Sequence, residues 1–387
     1  MRPVNFIAHN DVKLLFCGTD YFPALMAAID CAKYDIYFET YIFAADETGV
    51  AVRAALLRAA GRGVAVRVIT DWFGTGNART ARLHAALRQG GVEHRIFNPW
   101  FRRGVSRTHR KICVVDRSLA FVGGININDD MFCDYNHRRA LSAPRWDFAV
   151  EVNGPLVAAI HHEAQAQWAR LGHLSLIQRL ELYRDMRTAS KSAAKKPVQA
   201  GFVVRDNLRN RRTIQRAYLH ALGRAKTSVL LASPYFAPGR QFRQALATAA
   251  RRGVKVTLLI GVGEFWLQDA VTHSFYMKLL EAGVNLIEYQ KTQLHAKVAV
   301  IDDDWATVGS SNCDALSLFL NQEANVVIKD AQFSQSLRAY INAAIVDGVR
   351  IQKQDLAEIS VVRRFGYEIA FFIYKVVMRI VALEKYA

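Results

Sequence analysis

Residues 109–126 read HRKICVVDRSLAFVGGIN, and residues 295–312 read HAKVAVIDDDWATVGSSN. Both stretches carry the pattern His-x-Lys-x4-Asp, as His109, Lys111 and Asp116 and again as His295, Lys297 and Asp302. Each then reaches a glycine-small pair and an asparagine at one fixed offset, Asn126 and Asn312. With ordinary residue usage the three-residue pattern arises about once per 10^4 positions, so two matching copies mark a duplication.

The duplication extends outward. Ala32–Phe43 aligns with Ala225–Phe236, each opening with a strand. Helical stretches follow, closed by glycine at Gly61-Arg62-Gly63 and at Gly253, and the apolar strands Val66–Ile69 and Val256–Ile260 come next. A second helix in each half ends at Gly90-Gly91 or Gly283. Strand-helix-strand-helix-strand order predicts an α/β layer architecture with partly parallel sheets. Leu156–Arg187 is helical in pattern, with an apolar face of Trp168, Leu171, Leu176, Leu180 and Tyr183. Residues 188–200, TASKSAAKKPVQA, lack apolar periodicity and read as a linker. The expected organisation is a first half over 1–187, a linker over 188–200, a second half over 201–350 and a carboxyl-terminal segment over 351–387.

Each motif is expected on a hairpin. If residues 117 and 118 form a two-residue turn, His109 lies opposite Asn126 and Lys111 opposite Gly124; a turn at 303 and 304 sets His295 opposite Asn312. Histidine and lysine two positions apart share a strand face, so each hairpin can present imidazole, ammonium and carboxamide together. Asp116 and Asp302 complete the motif and so stand among the catalytic candidates. Their odd separation from the histidines turns them to the other face, which favours a turn-forming role.

Bulk composition sets the frame. At 387 residues, 51% of them hydrophobic, the chain can bury a full core. Cys17, Cys31, Cys113, Cys133 and Cys313 are scattered without a Cys-x-x-Cys pair, which argues against a disulfide framework or a zinc site and for a reducing compartment. Met1–Asp20 carries no basic segment followed by a long apolar run, so neither a signal peptide nor an amino-terminal span is expected. A net charge of +17 points to a polyanionic partner, nucleic acid or an anionic membrane surface, and does not choose between them.

Paired His, Lys and Asn suit phosphodiester chemistry, which needs a nucleophile, a proton donor for the leaving alcohol and fixed positive charge around the non-bridging oxygens. Two histidines, two lysines and two asparagines supply all three with no metal or cofactor required. One imidazole would attack phosphorus while the other serves the departing and incoming oxygens.

These residues resemble the phospholipase D superfamily. Asp304–Asn312, Asp314–Leu318 and Asn321–Asn325 are similar to the bacterial cardiolipin synthases, most of all the B type, which lacks amino-terminal membrane helices. The resemblance covers nearly the whole chain. It implies two α/β/α halves with mixed sheets, related by a pseudo-twofold axis, with one active site at their interface. It also implies an acidic residue behind each motif to orient the imidazole; Glu323 fills that place and Asp147 aligns with it. His109 is then the expected nucleophile and His295 the acid/base group. The implied reaction joins two phosphatidylglycerol molecules into cardiolipin plus glycerol. Hydrolysis, headgroup exchange with other alcohols, and nucleic-acid cleavage are the alternatives.

Two segments favour lipid over nucleic acid. Trp100 and Phe101 stand beside Arg102, Arg103 and Arg107 just before the first motif, a pairing suited to a headgroup interface, though aromatic and arginine side chains also bind bases and phosphates. Near the end of the chain, Val361, Val362, Phe365, Ile369, Phe372, Ile373, Val376, Ile380 and Leu383 recur at helical spacing among Arg363, Arg364, Lys375 and Arg379. Such a helix lies in a membrane interface or packs on protein, and its charges oppose spanning. The expected partner is an anionic phospholipid membrane, approached peripherally from the cytoplasmic side. The sequence does not fix the oligomeric state.

Overall fold

The structure is a computed structural model that describes residues 4–134, 139–172, 198–207 and 209–382. Leu176, Leu180, Tyr183, residues 188–197 and Leu383 lie outside the described residues. The first half contains β1 (Ile7–Phe16), β2 (Asp35–Thr40), β3 (Ala65–Asp71), β4 (Glu93–Phe97), β5 (Arg102–Val105), β6 (Ile112–Val115), β7 (Leu119–Gly123) and β8 (Phe148–Asn153). The second contains β9 (Val198–Arg205), β10 (Ser228–Ser233), β11 (Phe236–Ala237), β12 (Lys255–Gly261), β13 (Asn285–Tyr289), β14 (Val298–Ile301), β15 (Trp305–Gly309), β16 (Cys313–Asp314), β17 (Glu323–Lys329) and β18 (Val349–Ile351).

Fifteen of these strands form one sheet, ordered β18-β13-β12-β10-β14-β15-β17-β9-β1-β8-β7-β6-β2-β3-β4. Read outward from the β1–β9 junction, the two arms repeat one order, with β18 added at one edge. In each arm three strands are parallel, β2-β3-β4 and β10-β12-β13, and the rest pair antiparallel. This is the expected pair of mixed α/β halves. Helices cover both faces, so β2, β6 and β14 are buried along their whole length, and β6 and β14 read as continuous apolar or small-residue runs. Gly63 and Gly253, with φ of +87° and +90°, close the equivalent helices Glu47–Gly61 and Arg240–Arg251 where side chains would be strained.

A single apolar cluster spans the two halves. Val122, Trp146, Phe148 and Val150 join Leu294, Val298, Val308, Ala324 and Val326, and the helices Leu156–Leu171 and Ala331–Val346 close it from either side. The halves therefore share a core.

The hairpins differ from expectation by one residue. Val115 pairs with Leu119 and Ile112 with Val122; Ile301 pairs with Trp305 and Val298 with Val308. Each turn has three residues, because Asp116 (φ +50°), Arg117 (φ +56°) and Asp302 (φ +49°) adopt left-handed backbone that a two-residue reading did not include. Gly123, not Gly124, faces Lys111, and its N–H donates to the Lys111 carbonyl at 3.2 Å. Both asparagines, like both histidines, lie beyond the paired ladder. The linker reading also ran too far, since Val198–Ala200 already belong to β9, where Val198 and Ala200 pair with β1.

The carboxyl-terminal segment is the helix Val361–Ala382. One face docks on protein: Ala370 and Met378 are buried, Phe371 meets Phe275 at 4.9 Å between ring centroids, and the Tyr374 hydroxyl accepts from Ala315 N at 3.2 Å. The other face exposes Val361, Val362, Phe365, Ile369, Phe372, Ile373, Val376, Val377 and Ile380. Among the described residues no helix is long and apolar enough to cross a membrane.

Candidate active site

Both motif histidines sit off the carboxyl-terminal ends of the parallel strands, where open α/β sheets build their sites. Each is fixed by the opposite half. His109 N donates to Gln322 O at 2.9 Å, while Gln322 N donates to Arg107 O at 2.8 Å; His295 N donates to Trp146 O at 3.0 Å, while Trp146 N donates to Gln293 O at 2.9 Å. These short parallel bridges place the residue after Gln322, Glu323, at the ring of His109, and the residue after Trp146, Asp147, at the ring of His295. The contacts are His109 Nδ1 to Glu323 Oε2 at 3.2 Å and His295 Nδ1 to Asp147 Oδ2 at 2.6 Å. Each expected orienting carboxylate thus serves the other half's histidine. A carboxylate at Nδ1 fixes the tautomer and leaves Nε2 to act.

The lysines are buried and donate to their own histidines' carbonyls, Lys111 Nζ to His109 O at 2.8 Å and Lys297 Nζ to His295 O. Burial, with repulsion from Lys297, brings Lys111 down to about 7, and burial likewise lowers Lys297. Burial first, then the neighbouring lysine, lowers both imidazoles, His295 furthest; Glu323 opposes this at His109 and Asp134 at His295. Burial raises Asp147. Desolvated cations this close favour an anionic guest.

Asn126 and Asn312 are buried, but their amides do not meet the histidines: Asn126 Oδ1 accepts from Ile42 N at 3.4 Å, and Asn312 Oδ1 is buried without a hydrogen bond. Asp116 and Asp302 are not in the site, which corrects their place among the catalytic candidates. Asp116 accepts from the amides of Lys33, Tyr34 and Asp35, and Asp302 from those of Lys226, Thr227 and Ser228, at the far end of each hairpin. Slight burial would raise Asp302, but these amides and the Thr227 hydroxyl outweigh it and hold the carboxyl below its ordinary value. Both aspartates tie the hairpin turn to the loop before β2 or β10.

Trp100 and Phe101 are exposed and pack on Trp72 at 5.1 and 5.4 Å between centroids. Arg102 is exposed, and Arg103 lies in β5. The Arg107 guanidinium lies 3.8 Å from the Phe73 ring centroid and donates to the Tyr41 hydroxyl at 3.2 Å, and the Tyr41 ring meets His109 edge-on at 4.8 Å. This aromatic rim therefore borders the site. A second rim escaped sequence reading: Phe265, Trp266 and Leu267 are exposed after β12, as Trp72 and Phe73 follow β3, and Trp266 is 80% exposed.

Other site residues also escaped it. Asp134 Oδ2 lies 3.3 Å from His295 Nε2, and its Oδ1 is 3.2 Å from Arg145 and 2.7 Å from Asn128 Nδ2. Burial alone would raise Asp134, yet Arg145 and His295 outweigh it and bring the carboxyl down to about 2. The Ser310 hydroxyl donates to Glu323, supporting the group that holds His109. Arg110, inside the first motif, is fully buried between Glu39 (3.3 Å) and Glu163 (2.9 Å) and braces the strand beneath the site. No repeat signal marks Asp134, because Leu320 stands at the offset from Asn312 that Asp134 keeps from Asn126.

Residues 25–153 and 218–345 match the family described as cardiolipin synthase, phospholipase D-like domain. Cardiolipin synthase B of Salmonella typhi is 39% identical over 345 residues, 87% of this chain and 81% of the relative. Cardiolipin synthase B of Escherichia coli strain K12 is 38% identical, covering 87% of this chain and 80% of its own. The crystal structure of phosphatidylserine synthase from Haemophilus influenzae superposes with a TM-score of 0.70 at 15% identity, over 97% of this chain and 95% of that one, a likeness of fold. Two motifs, their shared seam and these matches converge: the chain belongs to the phospholipase D-like family of cardiolipin synthases.

Proposed function

We propose that this protein transfers the phosphatidyl group of phosphatidylglycerol to a second phosphatidylglycerol, giving cardiolipin and glycerol, with His109 as nucleophile. The observation that carries the proposal is the pair of buried imidazoles, each held at Nδ1 by the other half's carboxylate and flanked by a buried lysine. His109 Nε2 attacks phosphorus, the P–O bond to glycerol breaks, and His295 Nε2 gives the departing oxygen its proton. The acceptor hydroxyl then attacks, the P–N bond breaks with its electron pair returning to His109, and His295 takes the acceptor's proton. Lys111 and Lys297 balance the charge on the non-bridging oxygens. Two carboxylates stand beside His295, Asp147 at Nδ1 and Asp134 at Nε2, against Glu323 alone beside His109; they oppose the burial that lowers the His295 ring, which favours His109 as the attacking ring.

A peripheral membrane position supports the same reading. Exposed Trp100, Phe101, Trp266 and Leu267 rim the site, and the helix Val361–Ala382 offers a further apolar face with Arg363, Arg364 and Arg379 exposed. The test is incubation of the protein with phosphatidylglycerol liposomes, followed by lipid mass spectrometry beside His109→Ala. Cardiolipin from the wild type and none from the variant is the expected result. Phosphatidic acid alone would replace transfer by hydrolysis.

A further inference from the structure

We propose that Asp134 selects the acceptor: its Oδ2 accepts a hydrogen bond from the hydroxyl adjoining the one that His295 Nε2 deprotonates, so that the site prefers a vicinal diol. The inference rests on the phosphatidyl-transfer reading above and goes beyond it by naming the group that recognises the alcohol.

Asp134 is 3% exposed, and its Oδ2 is buried without a hydrogen bond while lying 3.3 Å from the nitrogen that must exchange a proton with the alcohol. Its position is set on every other side. Oδ1 is held by Asn128 and Arg145, and the Asp134 N–H donates to Gln293 Oε1 of the second half at 3.2 Å. Arg145 is itself fixed by the carbonyls of Asp129 (2.8 Å) and Phe132 (2.7 Å). While His295 Nε2 carries no proton, as when the acceptor hydroxyl arrives, Oδ2 is a buried acceptor without a donor, a costly arrangement unless the guest supplies one. Among the described residues His109 pairs with one carboxylate, Glu323 at Nδ1, and Leu320 takes the offset in the second half that Asp134 has in the first. The asymmetry places hydroxyl recognition on the side of the proton-transfer histidine. A cavity of about 390 Å³, lined by Cys133, Glu264, Thr292 and Gln293, adjoins this cluster. In it the Glu264 carboxyl accepts from the Tyr235 hydroxyl at 2.9 Å, a polar wall suited to a polyol.

In the transfer step the acceptor's primary oxygen forms the new P–O bond, the P–N bond to His109 breaks, and the primary hydroxyl's proton passes to His295 Nε2. Asp134 only receives the neighbouring hydroxyl's hydrogen bond, and no proton leaves that hydroxyl.

The test uses the full-length enzyme on phosphatidylglycerol liposomes with 1,2-propanediol, 1,3-propanediol, 1-propanol or ethanolamine at equal concentration, and counts the phosphatidyl products by mass spectrometry. The wild type is expected to favour 1,2-propanediol by at least about tenfold, since a buried acceptor left unpaired penalises the analogue lacking the donor. Asp134→Asn is expected to collapse that preference. Equal use of the alcohols by the wild type, a preference for ethanolamine, or a preference that survives Asp134→Asn would overturn the proposal. A wild type that forms cardiolipin but no product with 1,2-propanediol would also overturn the proposal, whereas one that forms neither cardiolipin nor any exchange product would overturn the transfer reading beneath it. The wild-type comparison stands whether or not the variant folds.

Discussion

Gly124 and Ser310 occupy equivalent places behind the two motifs and accommodate two different carboxylates. A Cβ at Gly124 would stand 2.3 Å from Asp147 Oδ1, so the short aspartate can reach His295 only past a glycine. The longer Glu323 leaves room for Ser310, whose hydroxyl then binds it. Removing the charge while keeping the shape, as Glu323→Gln or Asp147→Asn, is expected to lower kcat by about 100-fold or more with little change in KM, read in a phosphatidylglycerol assay. Asp302→Asn is expected to leave kcat within about threefold of wild type and to cost roughly 1–2 kcal/mol of stability at pH 7. The folded carboxyl sits below its ordinary 3.8, so that stabilisation is present above pH 3.8 and lost as pH falls through the depressed value; melts of the two proteins should converge in acid. Lys111 sits at about 7, and an anionic diester favours its charged form, so binding should take up protons and strengthen as pH falls through 7. Calorimetric heats that do not depend on the buffer would contradict this. The histidines and lysines were legible because the duplication marks them twice, and the orienting carboxylates Asp147 and Glu323 through the family resemblance. Asp134 and Arg145 were not, since their roles arise only where one half meets the other.

At the scale of elements, the hairpins show why periodicity places a strand better than it registers one. Apolar runs on either side of a polar turn identified both arms, yet the ladder depends on the left-handed turn residues Asp116, Arg117 and Asp302, and one extra turn residue moves every partner. The carboxyl-terminal helix was legible in period and charge, but not in docking one face on protein while leaving the other exposed. Its contacts through Phe371, Tyr374 and Met378 are made with Phe275, just after the helix Trp266–His273, and with Ala315 of the helix Ala315–Phe319, far away in sequence. Phe365 and Phe372 lie on the exposed face, at 66% and 65%. Replacing both with glutamate should leave the thermal melt within about 2 °C of wild type, as surface changes do, while weakening sedimentation with anionic liposomes at least about tenfold. Unchanged sedimentation would remove this helix from the membrane interface.

For the whole molecule, duplication and function are one problem, because neither half contains a finished histidine. The seam through Trp146, Phe148, Leu294 and Val326 is an apolar core, and the His–carboxylate contacts cross it. The sequence revealed two copies and one shared site, but not the exchange of carboxylates, which follows from Gln322 and Trp146 bridging to the opposite motifs. A chain cut by an engineered protease site between residues 187 and 188 should therefore stay associated on gel filtration and keep its activity, whereas residues 198–387 expressed alone should be inactive. The most direct measurement is a rapid-quench reaction with phosphatidylglycerol in alkaline conditions that preserve phosphohistidine, followed by peptide mapping. A phosphatidyl adduct on the peptide bearing His109, diminished by Glu323→Gln from the other half, is the predicted result; an adduct on His295 with none on His109 would contradict it.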